Sequence, residues 1–314
     1  MNKRDLLLRA EGAALKAIDP LNSERKLRLL GPLSEGFMRL WPLKTLRCKK
    51  TSIPRADGSR LRLCILNGKK PGGKTVGGLW LHGGGYAVAT PEMAAITFAG
   101  RLVKHENCVI VSPDYTLSVK KPYPAALKDA YATLAWMQAN RKALGIDCEK
   151  LVVGGESAGG GLTAAVCLYA RDRGNACVGF QMPLYPMLDD RETATSRDNR
   201  APVWNTKCNR AAWSIYLNGK AGTADVSPYA APARAKDLGG LPPAVTVIGT
   251  AEPFYAETLD FFGRLTAAGV TIALREYPDA WHGFDMLAPY ADNAKNAADF
   301  LLRTYEAFAD EYVK

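Results

Sequence analysis

Residues 150–161 read KLVVGGESAGGG, and the character of the chain changes in the middle of them. The apolar run at 151–153, stopped by two glycines, has the composition of a buried strand. From 157 to about 173 the Ala- and Leu-rich text, SAGGGLTAAVCLYARDR, reads as a helix despite its glycines. The junction holds G-x-S-x-G as Gly155, Glu156, Ser157, Ala158 and Gly159. A serine lifted on a sharp strand-to-helix turn occupies strained backbone angles, and side chains beside it would collide, which accounts for the flanking glycines. The helix N-terminus also favours negative charge developing there. Ser157 is therefore a candidate nucleophile.

Outward from this point, strand-like and helical runs alternate. NCVIVSP (107–113) precedes a helix near 124–141, and CVGFQMPLY (177–185) follows the helix that starts at the serine. AVTVIGT (244–250) precedes a helix near 254–268, VTIALREY (270–277) is another strand, and a last helix covers about 289–312. This alternation predicts an α/β protein with a mostly parallel sheet covered by helices on both faces. Upstream, two helices near 3–18 and 23–40 lead into an extended hairpin from about 44 to 82. Residues 186–225 break the rhythm and read as an insertion.

In such sheets ligands bind beyond the C-terminal ends of the strands. LWLHGGGY (79–86) places three glycines after a strand, leaving backbone N–H groups free to approach a developing anion. DAWHGF (279–284) lies between a strand and the last helix. The chain has three histidines. His105 falls late on a helical stretch and reads as a surface residue, and His82 belongs to the glycine loop and would orient it. His282 is left as general base, which a serine hydroxyl needs because it is a weak nucleophile alone.

A competing motif is GKKPGGKT (68–75), which satisfies the P-loop pattern G-x-x-x-x-G-K-[ST]. A phosphate cradle needs a helix beginning at the Lys-Thr pair, and the following VGGLWLHGGG is too glycine-rich for one. The stretch reads as a hairpin turn between two strands, and a nucleotide-binding protein is the minor alternative.

From about residue 75 onward the chain resembles the hormone-sensitive-lipase-like (bacterial family IV) esterases of the α/β-hydrolase fold. The resemblance rests on HGGG, SPDY, YPAALKDA, GESAGG, LYPMLDD, SPYAAPARAKDLGGLPPA and WHGF, in the family's order. It implies an eight-stranded, mostly parallel sheet with a helical cap: residues 1–42 as N-terminal cap helices, 187–225 as the cap insertion, and 43–186 with 226–314 as the core. It implies a serine carboxylesterase with Ser157 as nucleophile, His282 as base, and the N–H groups of Gly83, Gly84 and Ala158 as oxyanion hole. Short acyl groups such as acetyl are the implied substrates, with no metal or cofactor, and a homodimer is allowed. Tyr86, Trp204, Trp213 and Tyr216 are aromatic candidates for lining the pocket, with core packing as the alternative for each.

Three departures stand out. The family's acid is usually an Asp in a D-P-L/F motif; here the text is GTAEPFYAET, so the match is Glu252. A glutamate can fix the histidine tautomer and stabilise the imidazolium equally well. Glu257, Asp260 and Asp279 are the other acids nearby. DYTLSVKKPYP replaces the usual DYRLAPE, and Glu156 stands where Asp or Thr is common. A ligand-binding member of the same fold without hydrolysis remains an alternative. Plant gibberellin receptors are of that kind, but they have lost the histidine that His282 supplies here.

Composition agrees with a globular protein. Of 314 residues, 47% are hydrophobic and 23% charged, and no apolar run approaches the roughly 20 residues that span a bilayer. The N-terminal text is too charged for a signal peptide. Seven scattered cysteines without C-x-x-C point away from a disulfide framework or zinc site and toward a reducing, cytoplasmic setting. Residues 1–75 carry 18 Lys and Arg against 6 Asp and Glu, more than the whole net charge of +10. Lacking any binding motif or interleaved aromatics, this segment reads as solvated surface, with no nucleic-acid partner and no stable membrane insertion.

Overall fold

The computed structural model of the protein describes residues 21–40, 48–68, 74–175 and 177–313. In order these contain helix α1 (Glu24–Leu40), strands β1 (Cys48–Pro54), β2 (Arg60–Asn67) and β3 (Val76–Leu81), helix α2 (Phe98–His105) and strand β4 (Cys108–Pro113). Helix α3 (Ala125–Ala139), β5 (Leu151–Glu156), α4 (Ala158–Asp172), β6 (Val178–Leu184) and α5 (Thr206–Tyr216) follow. The chain continues through β7 (Ala244–Gly249), α6 (Tyr255–Ala267), β8 (Ile272–Tyr277), the short α7 (Phe284–Leu287) and α8 (Asp292–Tyr312). The helix expected at 3–18 lies outside the described residues, as do 41 and 42 of the expected N-terminal cap.

The eight strands form one sheet in the order β1-β2-β4-β3-β5-β6-β7-β8. β1 and β2 are antiparallel to their neighbours, and every pairing from β4 to β8 is parallel. Every residue of β3, β4, β5 and β7 is buried. Their continuous apolar text follows, because strands with helices over both faces have no solvent side to alternate with. The edge strands β1 and β8 keep exposed residues.

Two expectations need correction. β2 and β3 are not a hairpin: β4 lies between them, antiparallel to β2 and parallel to β3. Fully buried β3 requires a neighbour on each edge, and the eight residues 68–75 are long enough to step across one strand at roughly 4.8 Å per strand. Thr75 leads directly into β3 and no helix begins there, so the structure lacks the helix N-terminus a phosphate cradle requires. The second correction concerns cysteine. Cys48 and Cys64 are disulfide-bonded, with Cα atoms 5.8 Å apart, while the other five cysteines are buried and form no disulfide. Counting residues could not reveal this, because the pair is created by register: Lys50 faces Cys64 across β1 and β2, and Cys48 is its diagonal neighbour.

Between β6 and β7 the chain makes a long excursion that carries α5, and α5 packs against α1. The excursion is tied down at both ends. Glu257 on α6 accepts the N–H of Leu188 at 2.7 Å and of Asp189 at 3.2 Å, and the Arg234 guanidinium pairs with the buried Asp190. Among the described residues, no helix is long and apolar enough to cross a membrane.

Candidate active site

Ser157 sits between β5 and α4 with φ 59° and ψ −119°, a conformation a side chain rarely adopts. Its peptide is held on both sides: its N–H donates to the Leu184 carbonyl, and its own carbonyl accepts from Gly161 and Met187. The turn is possible because the helix runs almost against β3. A Cβ on Gly159 would lie 1.9 Å from the Leu81 carbonyl oxygen, so only glycine fits.

The Ser157 hydroxyl lies 2.8 Å from His282 Nε2. On the far side of the ring, His282 Nδ1 lies 2.7 Å from Glu252 Oε2. An ionised carboxylate only accepts, so Nδ1 carries the proton and Nε2 is free to accept from the hydroxyl. Glu252 is fully buried in the turn after β7, where its other oxygen accepts the Gly249 N–H at 3.1 Å. Burial raises its pKa, while the adjacent imidazole and the Gly249 N–H offset part of that shift. The alternative acids are engaged elsewhere. Glu257 holds the Leu188–Asp189 peptides, Asp260 pairs with Arg264 at 3.7 Å on the α6 surface, and exposed Asp279 takes part in the turn through its N–H to Thr250 Oγ1.

The glycine loop after β3 lies against the serine. A Cβ built on Gly83 would be 3.4 Å from Ser157 Cβ, and Gly84 turns the chain with φ +106°. Neither Gly83 nor Gly84 donates its N–H to a turn or loop carbonyl among the described residues, and Ala158 is the first residue of α4, whose N–H has no intrahelical acceptor. His82 stacks on Tyr115 with centroids 4.1 Å apart, and its Nδ1 donates to the Gly83 carbonyl at 2.8 Å. The Tyr115 hydroxyl in turn donates to the His82 carbonyl. His82 thus braces the loop, and His105 is exposed at the end of α2.

The four aromatic candidates divide. Trp204 lies beside the site, its ring centroid 6.2 Å from that of His282. Tyr86, Trp213 and Tyr216 form a buried group between the glycine loop and α5, with Tyr86 stacked on Tyr216 at 3.8 Å. Sequence reasoning missed Tyr185 and Phe254, whose rings meet His282 edge-on at 5.2 and 5.1 Å. Their signal was positional: Tyr185 follows the end of β6, and Phe254 stands two residues after Glu252.

Two further carboxyls lie beneath the site. Glu156 accepts the Trp80 indole N–H, and burial together with nearby Asp285 pushes its pKa up to about 8. Asp285, on α7 just past His282, accepts from the Tyr185 hydroxyl at 3.0 Å and is likewise raised by burial. Among the described residues, no group of three or more His, Cys, Asp and Glu is placed to hold a metal ion.

A family model for the alpha/beta hydrolase fold matches residues 78–286. The chain is 33% identical over 229 residues to carboxylesterase NlhH of Mycobacterium tuberculosis, covering 69% of each chain. It is 28% identical over 263 residues to an acetyl-hydrolase of Streptomyces hygroscopicus, covering 80% of this chain and 84% of the relative. Among solved structures, a bacterial heroin esterase superposes with a TM-score of 0.80 at 31% identity, covering 88% of this chain and 89% of the other. The hydroxyl–imidazole–carboxylate line at the end of the parallel strands, the glycine loop against it and these likenesses agree: the chain belongs to the α/β-hydrolase fold family, in its hormone-sensitive-lipase-like branch.

Proposed function

We propose that the protein is a serine carboxylesterase acting through a Ser157–His282–Glu252 triad. The observation that carries this reading is the unbroken hydrogen-bonded line from hydroxyl to imidazole to buried carboxylate, at 2.8 and 2.7 Å. His282 Nε2 takes the hydroxyl proton as Ser157 Oγ attacks the ester carbonyl, and Glu252 stabilises the imidazolium that results. The oxygen of the tetrahedral intermediate, now negative, is received by the N–H groups of Gly83, Gly84 and Ala158. His282 then returns the proton to the departing alkoxide, leaving an acyl-serine. Water, deprotonated by the same imidazole, releases the carboxylic acid and restores the serine.

Short acyl groups, acetyl above all, are the proposed substrates, an assignment supported by the relative named an acetyl-hydrolase. In the same reading α1 and the excursion carrying α5 form the cap over the site. The proposed setting is cytoplasmic, five of the seven cysteines being outside any disulfide while Cys48–Cys64 speaks against it, and the enzyme acts on small-molecule esters alone or as a homodimer. The test is hydrolysis of p-nitrophenyl acetate with and without an organophosphonate, followed by peptide mass spectrometry. Turnover abolished by an adduct on Ser157 is the expected result. Turnover that persists in fully labelled protein would overturn the mechanism, and ligand binding without hydrolysis would favour the non-catalytic alternative.

A further inference from the structure

The segment that carries His282 has few polar anchors. Among the described residues, the loop hydrogen bonds made by the backbone of 281–287 stay within 281–288: Phe284 donates to Trp281, Met286 and Leu287 donate to Gly283, and Ala288 donates to Phe284. Side-chain hydrogen bonds tie the segment to the rest of the described chain at two residues, His282 itself and Asp285. The imidazole contacts are what has to be held in place, so the bond at Asp285 is the polar tie left to hold them. Its partner is the Tyr185 hydroxyl, which donates to Asp285 Oδ1 at 3.0 Å. Both side chains are buried, and a hydrogen bond in a low-dielectric interior is stronger than the same bond in water.

The ring behind that hydroxyl also touches the base. It meets the imidazole edge-on, with centroids 5.2 Å apart and planes at 81°. Tyr185 is fixed at its backbone as well. It is the first residue after β6 and has φ 32°, an outlying conformation for a bulky residue that persists only where the surroundings over-determine it. Its N–H donates to the Val247 carbonyl of β7 at 3.1 Å. Two residues further along β7, the Gly249 N–H holds Glu252. One tyrosine thus joins the strand that delivers the acid to the segment that delivers the base.

Resting on the esterase reading above, we infer that Tyr185 is a positioning residue: its hydroxyl, anchored on Asp285, holds the 281–287 segment so that His282 Nε2 stays aimed at Ser157. Asp285 serves as the hydrogen-bond acceptor, and its charge is not required. The effect on rate is large for a single bond, because a misplacement of about 1 Å at a catalytic group can cost on the order of 10²-fold.

Tyr185→Phe keeps the ring and removes only the hydroxyl. Hydrolysis of p-nitrophenyl acetate is measured, with kcat expressed per serine titrated to completion by a p-nitrophenyl organophosphonate. Acylation and deacylation each pass a proton through Nε2, so both slow together: kcat should fall by roughly 10- to 100-fold while KM holds. Asp285→Leu should match Tyr185→Phe, and the double variant should be no worse than either single one. Asp285→Asn, which still offers an oxygen to the hydroxyl, should recover most of what Asp285→Leu loses. The downfield NMR resonance of the Nδ1 proton between His282 and Glu252 should shift in Tyr185→Phe and Asp285→Leu and stay in Asp285→Asn. A merely structural tyrosine would weaken stability to urea and leave that resonance and kcat per titrated serine alone, and that result overturns the proposal. Equal losses in Asp285→Asn and Asp285→Leu would assign the effect to charge and overturn it too. Should Tyr185→Phe fail to fold, the comparison of the two Asp285 variants decides. A wild-type enzyme inert toward p-nitrophenyl acetate and the organophosphonate would overturn the esterase reading itself, whereas an unimpaired Tyr185→Phe in an active enzyme overturns the positioning role alone.

Discussion

Both carboxyl oxygens of Glu156, the residue directly before Ser157, lie within hydrogen-bonding distance of the Trp80 indole nitrogen, at 2.9 and 3.0 Å. The ring that donates here is also packed on Gly154, where a Cβ would fall 2.3 Å from Trp80 Cζ3. Glu156 therefore fixes β3 to β5 at the level of the turn and has no need to be charged. Its pKa is raised from 4.5 to about 8, chiefly by burial. The folded state then holds a proton that the unfolded state releases, so this residue's contribution is complete below pH 4.5 and is lost as pH rises toward 8.

Glu156→Gln, neutral at every pH, should lack that dependence. Its unfolding free energy relative to wild type, from urea melts, should climb between pH 5 and pH 8 and level off above, with a slope of at most about 1.4 kcal/mol per pH unit. A difference that stays flat across this window would mean that Glu156 is ionised in the folded protein.

Ser157→Ala and His282→Ala should each reduce kcat for p-nitrophenyl acetate by roughly 10³-fold or more. Because the two act as a unit, the double variant should lose little beyond either single one. Stopped kinetics with circular dichroism as a fold check would expose the contrary case, in which losses multiply.

Glu252 and Glu257 are five residues apart, both buried, and should behave differently. Glu252→Asp should keep part of the activity and Glu252→Ala should lose most of it, since only Glu252 meets the imidazole. Glu257→Ala instead frees the Leu188 and Asp189 amides and should lower stability by about 1–3 kcal/mol. Urea melts and kcat measured on the same four proteins would reveal a reversed pattern.

Gly159→Ala should cost about 3 kcal/mol or more, because the new methyl group would meet the Leu81 carbonyl. Gly263 offers the contrast. It lies within α6 with nothing inside 4 Å of its missing Cβ, so Gly263→Ala should raise stability by up to about 1 kcal/mol. Paired urea titrations of the two variants suffice to check both signs.

Much of this was legible in the text of the chain, for identifiable reasons. The turn around Ser157 is local: strand, glycine, serine and helix lie within about twenty residues, and sterics leave few alternatives. Strands β5 to β8 and helices α4, α6 and α8 followed from alternation, whereas α5, inside the expected insertion, and the short α7 did not. What the text withheld is pairing at a distance. The insertion of β4 between β2 and β3, and with it the failure of the expected hairpin, is set by which buried edges need neighbours. The Cys48–Cys64 bond depends on the register of β1 against β2. The division among the aromatics, Trp204 beside His282 and Tyr86 stacked on Tyr216, depends on where the excursion after β6 lands. His282 was reached by elimination among three histidines, and Glu252 by the resemblance; only the folded chain brings them to 2.7 Å.

The carbonyl of Ser157 accepts two N–H groups, one from Gly161 and one from Met187. The second belongs to the opening residues of the long excursion, so the turn that carries Ser157 and the root of that excursion share a single oxygen. Any swing of that segment large enough to pull Met187 away would unseat the serine's own peptide and misdirect its hydroxyl. At this one oxygen, anchoring the long excursion and holding the peptide of Ser157 are the same constraint.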